Sequence, residues 1–202
     1  MAFELNIKVS FVFLLLATVI TSCKSSKLSH EVAKKTSIEQ QVDSLLAVMT
    51  LDEKIGQMTQ VRHFWDVGES DIATKFIGSV IHTQGINPGE TAEQWQDKFN
   101  RLQKQALSTR LGIPLLFGVD AVHGQNTFNG ATIFPHNIGL GATGNTELVK
   151  RIGEITAIES RATGFNWVFA PCAAIPLNEK WGRFYEAFSE DPDLTSDLIA
   201  AL

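Results

Sequence analysis

The chain has 202 residues, of which 44% are hydrophobic and 19% are charged, a composition that excludes disordered and fibrous proteins and is typical of a globular domain. Its formal net charge is -5, and no basic run exceeds two residues, as at Lys34-Lys35. Because proteins that bind nucleic acid carry a basic patch or stripe, we predict no nucleic-acid partner.

The amino terminus has the features of an export signal. Residues 11–20 form an apolar run that has the length of a secretory h-region and is too short to span a membrane as a mature helix. The segment Ile20-Thr21-Ser22-Cys23 resembles the bacterial lipobox, in which the chain is cut before a cysteine that is then acylated. We predict a signal peptide at residues 1–22, lipidation at Cys23 and a tether at residues 23–36. The protein would be a bacterial membrane lipoprotein on the periplasmic or cell-surface side; the alternative is an ordinary signal peptide and a secreted protein.

Two capping signals open the helical part of the chain. Ser37-Ile38-Glu39-Gln40 and Thr50-Leu51-Asp52-Glu53 each place a hydroxyl three residues before a side chain that can return its hydrogen bond, which is the capping box of a helix start. The first helix carries one apolar stripe, made of Ile38, Val42, Leu45, Leu46 and Met49. We therefore predict two helices that are joined at residues 49–50.

Strands and helices alternate in the rest of the chain. Short apolar runs predict buried strands at residues 76–81, 115–119 and 167–171. Amphipathic patterns predict three helices, one starting at Thr91, one at residues 145–163 and ended by Gly164, and one starting at Asp191-Pro192. This alternation favours right-handed βα units in a parallel sheet.

The number of predicted strands sets the architecture. The last of the three ends at residue 171, whereas a closed (β/α)₈ barrel takes about 250 residues. We therefore predict an α/β fold in which residues 37–202 form the amino-terminal portion of a partial (β/α)₈ TIM-like barrel. An open three-stranded sheet would expose two apolar edges, so we also expect this polypeptide to fold poorly by itself.

The stretch after the second predicted strand holds the first candidate for a ligand contact. Asp120-Ala121-Val122-His123-Gly124 follows residues 115–119 directly, and a loop rich in Gly and Asn comes next. Parallel α/β folds bind ligands just past the carboxyl ends of their strands. Asp120 is therefore predicted to touch substrate.

A set of motifs resembles the amino-terminal domain of glycoside hydrolase family 3, and most closely its β-glucosidases and exo-β-glucanases. The motifs cover about 150 residues and stand in the family's order: Met49-Thr50-Leu51-Asp52-Glu53-Lys54-Ile55-Gly56-Gln57-Met58, Gly118-Val119-Asp120-Ala121-Val122-His123-Gly124, Thr132-Ile133-Phe134-Pro135, Phe169-Ala170-Pro171, Lys180-Trp181-Gly182-Arg183-Phe184-Tyr185-Glu186 and Ser189-Glu190-Asp191-Pro192. The resemblance implies a (β/α)₈-like barrel followed by an α/β sandwich.

The same resemblance implies a retaining β-glucosidase that removes terminal non-reducing β-D-glucosyl residues from β-glucosides or β-glucan oligosaccharides. In the family, the nucleophile is an aspartate late in the barrel and the acid/base is usually a glutamate of the second domain. Neither region lies in this portion, so no catalytic residue is expected in it and the fragment itself is expected to be inactive. The alternatives are a β-xylosidase or N-acetylglucosaminidase of the same family, or a non-catalytic sugar-binding lipoprotein.

The resemblance assigns sugar binding to two residues. Asp120 is similar to the aspartate that accepts hydrogen bonds from glycone hydroxyls, and Arg183 is similar to the arginine that completes those contacts. Structural roles are the alternatives, with Asp120 capping a turn and Arg183 pairing with Glu186 or Glu190. His123 could donate to substrate or shape its loop.

Three further expectations concern a tryptophan, the histidines and the second cysteine. Trp181 could support the sugar with its ring or pack the loop. His82, His123 and His136 lack the close spacing of a metal site, so we predict neither metal nor cofactor. With Cys23 lipidated, Cys172 has no disulfide partner and is predicted to be a small buried residue.

Two segments depart from the family pattern. Leu177-Asn178-Glu179-Lys180 stands where relatives often have Arg-Asp-Pro-Arg, which leaves open how Arg183 is aimed. His82-Thr83-Gln84-Gly85 stands where a Ser-Gly-Gly-like turn is common, and that loop borders the site in relatives. A shifted substrate preference is therefore expected.

Overall fold

The computed structural model describes residues 37–62, 68–82 and 90–202. The predicted signal peptide, lipidated Cys23 and tether therefore lie outside the described residues. The chain divides into two compact units, Met1–Val42, of which only residues 37–42 are described, and Asp43–Leu202. No helix in the described part of the chain combines the length and the apolar character needed to cross a membrane.

A four-stranded parallel sheet organises the second unit, and its strands follow one another in chain order. The strands are β1 (Gln60–Arg62), β2 (Ser79–His82), β3 (Leu116–Val119) and β4 (Trp167–Val168). In register, Val61 pairs with Val80, Val80 with Phe117, and Val119 with Val168. The predicted parallel α/β sheet is confirmed, with one strand more than the three predicted.

The helices of the described residues are α1 (Ile38–Val48), α2 (Leu51–Gln57), α3 (Asp71–Thr74), α4 (Ala92–Leu107), α5 (Asn137–Gly141), α6 (Thr146–Ala162) and α7 (Pro192–Ala201). A 3₁₀ turn covers Phe184–Glu186. The order β2, α4, β3, α6, β4 contains the predicted βα alternation, because each long helix separates two strands that pair in parallel. The sequence did not predict α3, α5 or the 3₁₀ turn, each of which has five residues or fewer.

The predicted helix starts are confirmed by their caps. Thr50 and Glu53 exchange side-chain and backbone hydrogen bonds at the start of α2, and Thr91 and Gln94 do the same at α4. At α7 the Asp191 carboxylate accepts from the amides of residues 193 and 194, with proline in the first turn. Each such cap satisfies amide groups that have no partner within the helix.

The apolar stripe of α1 faces solvent in the described structure. The helix forms as predicted and starts with reciprocal bonds between Ser37 and Gln40, yet none of its residues is buried. Ile38 is 77% exposed, and Val42, Leu45 and Leu46 are at least 40% exposed. The stripe therefore contributes nothing to the core described here.

Two clusters of buried side chains hold the second unit together. The larger joins the strands to α4 and stacks Phe117 between Phe99 and Phe165, with ring centroids 5.5 Å and 4.5 Å apart. Each fully buried side chain of this size stabilises the fold by about 1.5–3 kcal/mol. The smaller cluster joins α5, α6 and α7 through Leu140, Val149, Ile152, Phe188 and Leu198.

Cys172 is a free thiol and is partly exposed. The prediction that it is buried is therefore wrong. β4 ends at Val168, and Cys172 lies in the loop that leaves the carboxyl edge of the sheet.

Candidate functional site

A hollow of ≈ 520 Å³ opens just past the carboxyl end of β3. Seven residues from three segments of the chain line it: Asp120, Val122, His123, His136, Arg183, Tyr185 and Glu186. The structure thus brings together Asp120, Arg183 and His123, three of the four residues that the sequence singled out. The fourth, Trp181, is 37% exposed and does not line the hollow.

Asp120 follows β3 directly and is half-buried at the carboxyl edge of the sheet. Burial raises the pKa of its carboxyl; the guanidinium of Arg183 opposes this rise, and the carboxylate of Glu186 adds to it. Arg183 therefore favours the ionised form, whose two oxygens only accept hydrogen bonds.

Arg183 is held by Glu186 in a two-point contact. Its Nε donates to both carboxylate oxygens at 3.0 and 2.9 Å, and its Nη2 donates to Oε2 at 2.5 Å. These bonds raise the pKa of Arg183 and hold the pKa of Glu186 below its usual range. Of the two structural partners considered from sequence, Glu186 is observed. A guanidinium has five N–H groups, so this pairing leaves donors for a ligand.

His123 fastens its own loop. Its Nδ1 lies 3.0 Å from the carbonyl oxygen of Phe134, and the amide of Phe134 donates to the carbonyl of His123 at 2.8 Å. A carbonyl only accepts, so Nδ1 is the donor in this contact. This contact is of the kind that the loop-shaping alternative describes, and His123 also lines the hollow.

Polar contacts, some of them buried, hold the rest of this loop against α4 and α6. Gln125 is fully buried, donates to Thr163 and accepts from Thr127. The indole of Trp95 donates to the carbonyl of Thr127 at 2.9 Å, and the Glu159 carboxylate accepts from the amide and hydroxyl of residue 132. The residues that line the hollow are therefore carried on a rigid support.

Gly124 is required at the turn that opens this loop. Its φ is +105°, a conformation that L side chains rarely adopt, and an added Cβ would lie 2.2 Å from the carbonyl oxygen of Thr132. The chain can therefore reverse close to Asp120 only with glycine at this position.

The family model described as "Glycosyl hydrolase family 3 N terminal domain" matches residues 50–202. The chain belongs to glycoside hydrolase family 3. The predicted family and the predicted TIM-barrel type of fold are confirmed.

Relatives support the same assignment. A lysosomal beta glucosidase of Dictyostelium discoideum is 36% identical over 178 residues, which cover 79% of this chain and 22% of the relative. A periplasmic beta-glucosidase/beta-xylosidase of Dickeya chrysanthemi is 31% identical, covering 77% and 26%. The crystal structure of an exo-1,3/1,4-beta-glucanase from a Pseudoalteromonas species is 38% identical with a TM-score of 0.71, covering 79% and 21%. The chain thus spans about a quarter or less of each of these relatives.

Two ring-bearing side chains that line the hollow, His136 and Tyr185, were not predicted for this family 3 site. The rings of His136 and Tyr185 meet edge to face at 4.6 Å, and His136 lies 4.3 Å from His123. From sequence, His136 is considered only as a metal ligand, and Tyr185 only as part of a motif. Their segments are far apart in the chain, so no local pattern indicates the contact.

The two departures from the family 3 pattern have different outcomes. Asn178 caps its own turn, since its side chain accepts from the amide of Lys180 and its carbonyl accepts from the amide of Trp181. Arg183 is aimed instead by Glu186, downstream of that segment. Of the second departing segment, residues 82–85, the structure describes only His82.

His82, which precedes the undescribed residues 83–85, is buried at the end of β2. Its ring meets Trp95 edge to face at 4.3 Å. Burial and then the charge of Lys98 lower the pKa of His82 to about 4. Over residues 37–62, 68–82 and 90–202, no group of three or more His, Cys, Asp or Glu side chains is arranged to hold a metal ion.

Proposed function

We propose that the protein to which this chain belongs is a retaining, exo-acting β-glucosidase, and that this portion binds the terminal non-reducing glucosyl unit. The observation that carries the proposal is the meeting of Asp120 and Arg183 in one hollow of ≈ 520 Å³. Small-molecule sites are typically clefts of about 300–1,000 Å³ with a few convergent polar groups, which this hollow matches.

Asp120 and Arg183 have complementary roles in this proposal. A glucosyl unit offers only hydroxyl groups and a ring oxygen, so recognition depends on placed acceptors and donors. The carboxylate of Asp120 accepts from hydroxyls, and the remaining N–H groups of Arg183 donate to them. Bonds to charged groups are roughly twice as strong as neutral ones, so the pair fixes the orientation of the sugar.

Neither Asp120 nor Glu186, the two carboxylates near Arg183, is assigned a catalytic role in this proposal. A retaining glycosidase needs a nucleophile and an acid/base about 5 Å apart, and the acid must hold a proton near neutral pH. Glu186 pairs with Arg183, and this pairing lowers the pKa of the Glu186 carboxyl. Glu186 is therefore a poor candidate for the acid. We assign Asp120 to the glycone and propose that both catalytic carboxylates come from residues outside these 202.

A specific observation favours a second activity of the same family. The relative from Dickeya chrysanthemi is named as both a beta-glucosidase and a beta-xylosidase. Xylose lacks the hydroxymethyl group of glucose, so the two substrates differ mainly in how much room the hollow needs. A β-xylosidase is therefore the second candidate function.

The deciding experiment compares nitrophenol release from aryl β-glucoside and aryl β-xyloside by the full-length protein. We expect the glucoside to be the better substrate by kcat/KM. Faster cleavage of the xyloside would replace the proposal with the second candidate. Failure to cleave either, together with glucose binding, would favour a non-catalytic sugar-binding protein.

We also propose that the protein is exported and anchored through a lipid on Cys23. The lipobox-like segment supports this, as does the word "periplasmic" in the name of the Dickeya relative. Radioactive palmitate fed to expressing bacteria should label the protein, and Cys23→Ser should abolish the label. A wild-type protein that is exported without the label would leave the secreted alternative.

A further inference from the structure

Arg183 is a long and flexible side chain, of which 63% is exposed. A donor of this kind orients a sugar well only if another group holds the plane of its guanidinium. We propose that Glu186 is a positioning residue that clamps Arg183 in the orientation needed to donate to the glycone. This inference rests on the proposed function, because it concerns the same hollow.

The geometry of the clamp carries the inference. Glu186 engages Nε and Nη2 together, along one side of the guanidinium, at 2.5–3.0 Å. A two-point contact fixes the plane of the group as well as its position. Nη1, on the other side, makes no hydrogen bond within the described residues, so its two N–H groups can donate to sugar hydroxyls.

Glu186 is itself held in place. Its side chain is only 12% exposed, and it lies on the 3₁₀ turn that starts directly after Arg183. The side-chain amide of Asn137, a buried residue of α5, donates to the backbone carbonyl of Glu186 at 2.8 Å. The Tyr185 hydroxyl and the nearby His136 add to the lowering of the Glu186 pKa, which keeps the carboxylate ionised. The clamp is therefore supported by the start of α5 as well as by its own 3₁₀ turn.

The clamp also sets the balance of charge between Arg183 and Asp120. The two residues interact, because Arg183 lowers the pKa of Asp120. By holding the guanidinium, Glu186 also fixes the position from which this positive charge acts on the carboxyl of Asp120.

The test is a double-mutant cycle on the full-length protein, with kcat/KM for aryl β-glucoside and the Kd for glucose as readouts. We expect Glu186→Gln to lower kcat/KM and weaken glucose binding by about 10-fold or more, and Glu186→Asp, which keeps the charge, to recover part of the loss. In an Arg183→Ala background, Glu186→Gln should cost less than about 2-fold, because the residue acts through Arg183. Glu190→Gln, which removes a carboxylate that does not bond to Arg183, is the matched control and should behave as wild type.

Each contrary result has its own meaning. Equal losses from Glu186→Gln in both backgrounds, or a melting temperature lowered by more than about 5 °C, would assign the residue a purely structural role and overturn the inference. Normal binding by Glu186→Gln with weakened binding by Arg183→Ala would also overturn it, while leaving the proposed function intact. Normal binding and turnover by Arg183→Ala and Asp120→Asn would remove the proposed function itself.

Discussion

Replacing Asp120 by asparagine tests the proposed sugar site most directly. Asparagine keeps the shape of the side chain, removes its charge and turns one acceptor into a donor. A hydrogen bond to a charged group contributes about 1.5–3 kcal/mol, so losing it should lower kcat/KM for aryl β-glucoside about 10- to 150-fold. Asp120 is half-buried beside Arg183, and a bound sugar would shield it further from water.

Stability should respond in the opposite direction to activity. The folded protein raises the pKa of Asp120, chiefly by burial, so the folded state binds the proton more tightly than the unfolded state does. Above both pKa values the charge therefore disfavours folding, and Asp120→Asn should unfold at an equal or higher temperature than wild type at pH 7. Reduced activity together with undiminished stability would identify a residue that serves ligand binding rather than folding.

The assay has a matched control and a clear contrary result. Asp197→Asn removes an exposed carboxylate of α7 and should leave kcat/KM unchanged. Glucose binding by wild type should weaken as the pH falls through the raised pKa of Asp120, and binding by Asp120→Asn should lack that dependence. An unchanged kcat/KM in Asp120→Asn would remove the residue from the site.

Long, capped elements of the fold were predictable from sequence, and very short ones were not. The starts of α4 and α6 follow from Thr91 and Asn145, whose side chains accept from backbone amides as their positions indicate. β1 was not predicted because it has three residues, so its single alternation of exposed and buried positions is too short to mark a strand. Local patterns identify an element only when it is long enough to repeat its period.

β4 is shorter than predicted, and the residue that follows it packs against the neighbouring strand. The apolar run extends to residue 171, but only Trp167 and Val168 pair with β3. The ring of Phe169 packs where a side chain on Gly118 would otherwise lie, since a Cβ there would be 2.6 Å from the ring. The place of the Phe169 ring thus depends on a glycine in another strand, which the sequence of β4 alone does not reveal.

The candidate site was predictable in part. The position of Asp120 follows from the rule that parallel strands present ligand-binding groups at their carboxyl ends. The choice of Glu186 over Glu190 as the partner of Arg183 depends on the 3₁₀ turn, which brings residue 186 back over residue 183. The ring contact of His136 with Tyr185 joins two distant segments, so it needed the structure.

Two further predictions concern the support of the site. Gly141→Ala would place a Cβ 1.7 Å from the carbonyl oxygen of Phe188, so thermal unfolding should show a loss of about 2 kcal/mol or more, whereas Gly139→Ala on the same helix, with 3.7 Å to its nearest contact, should show none. Equal losses in the two variants would contradict the overlap argument. The pKa of His82 is about 4 in the folded protein and 6.5 for the free side chain. Between pH 6.5 and 4, the unfolded state therefore binds a proton that the folded state does not bind. The wild type should lose about 3 kcal/mol of its free energy of unfolding over this range. His82→Phe should lose that much less over this range. Identical pH profiles for wild type and His82→Phe would show that the imidazole of His82 takes up its proton equally in both states.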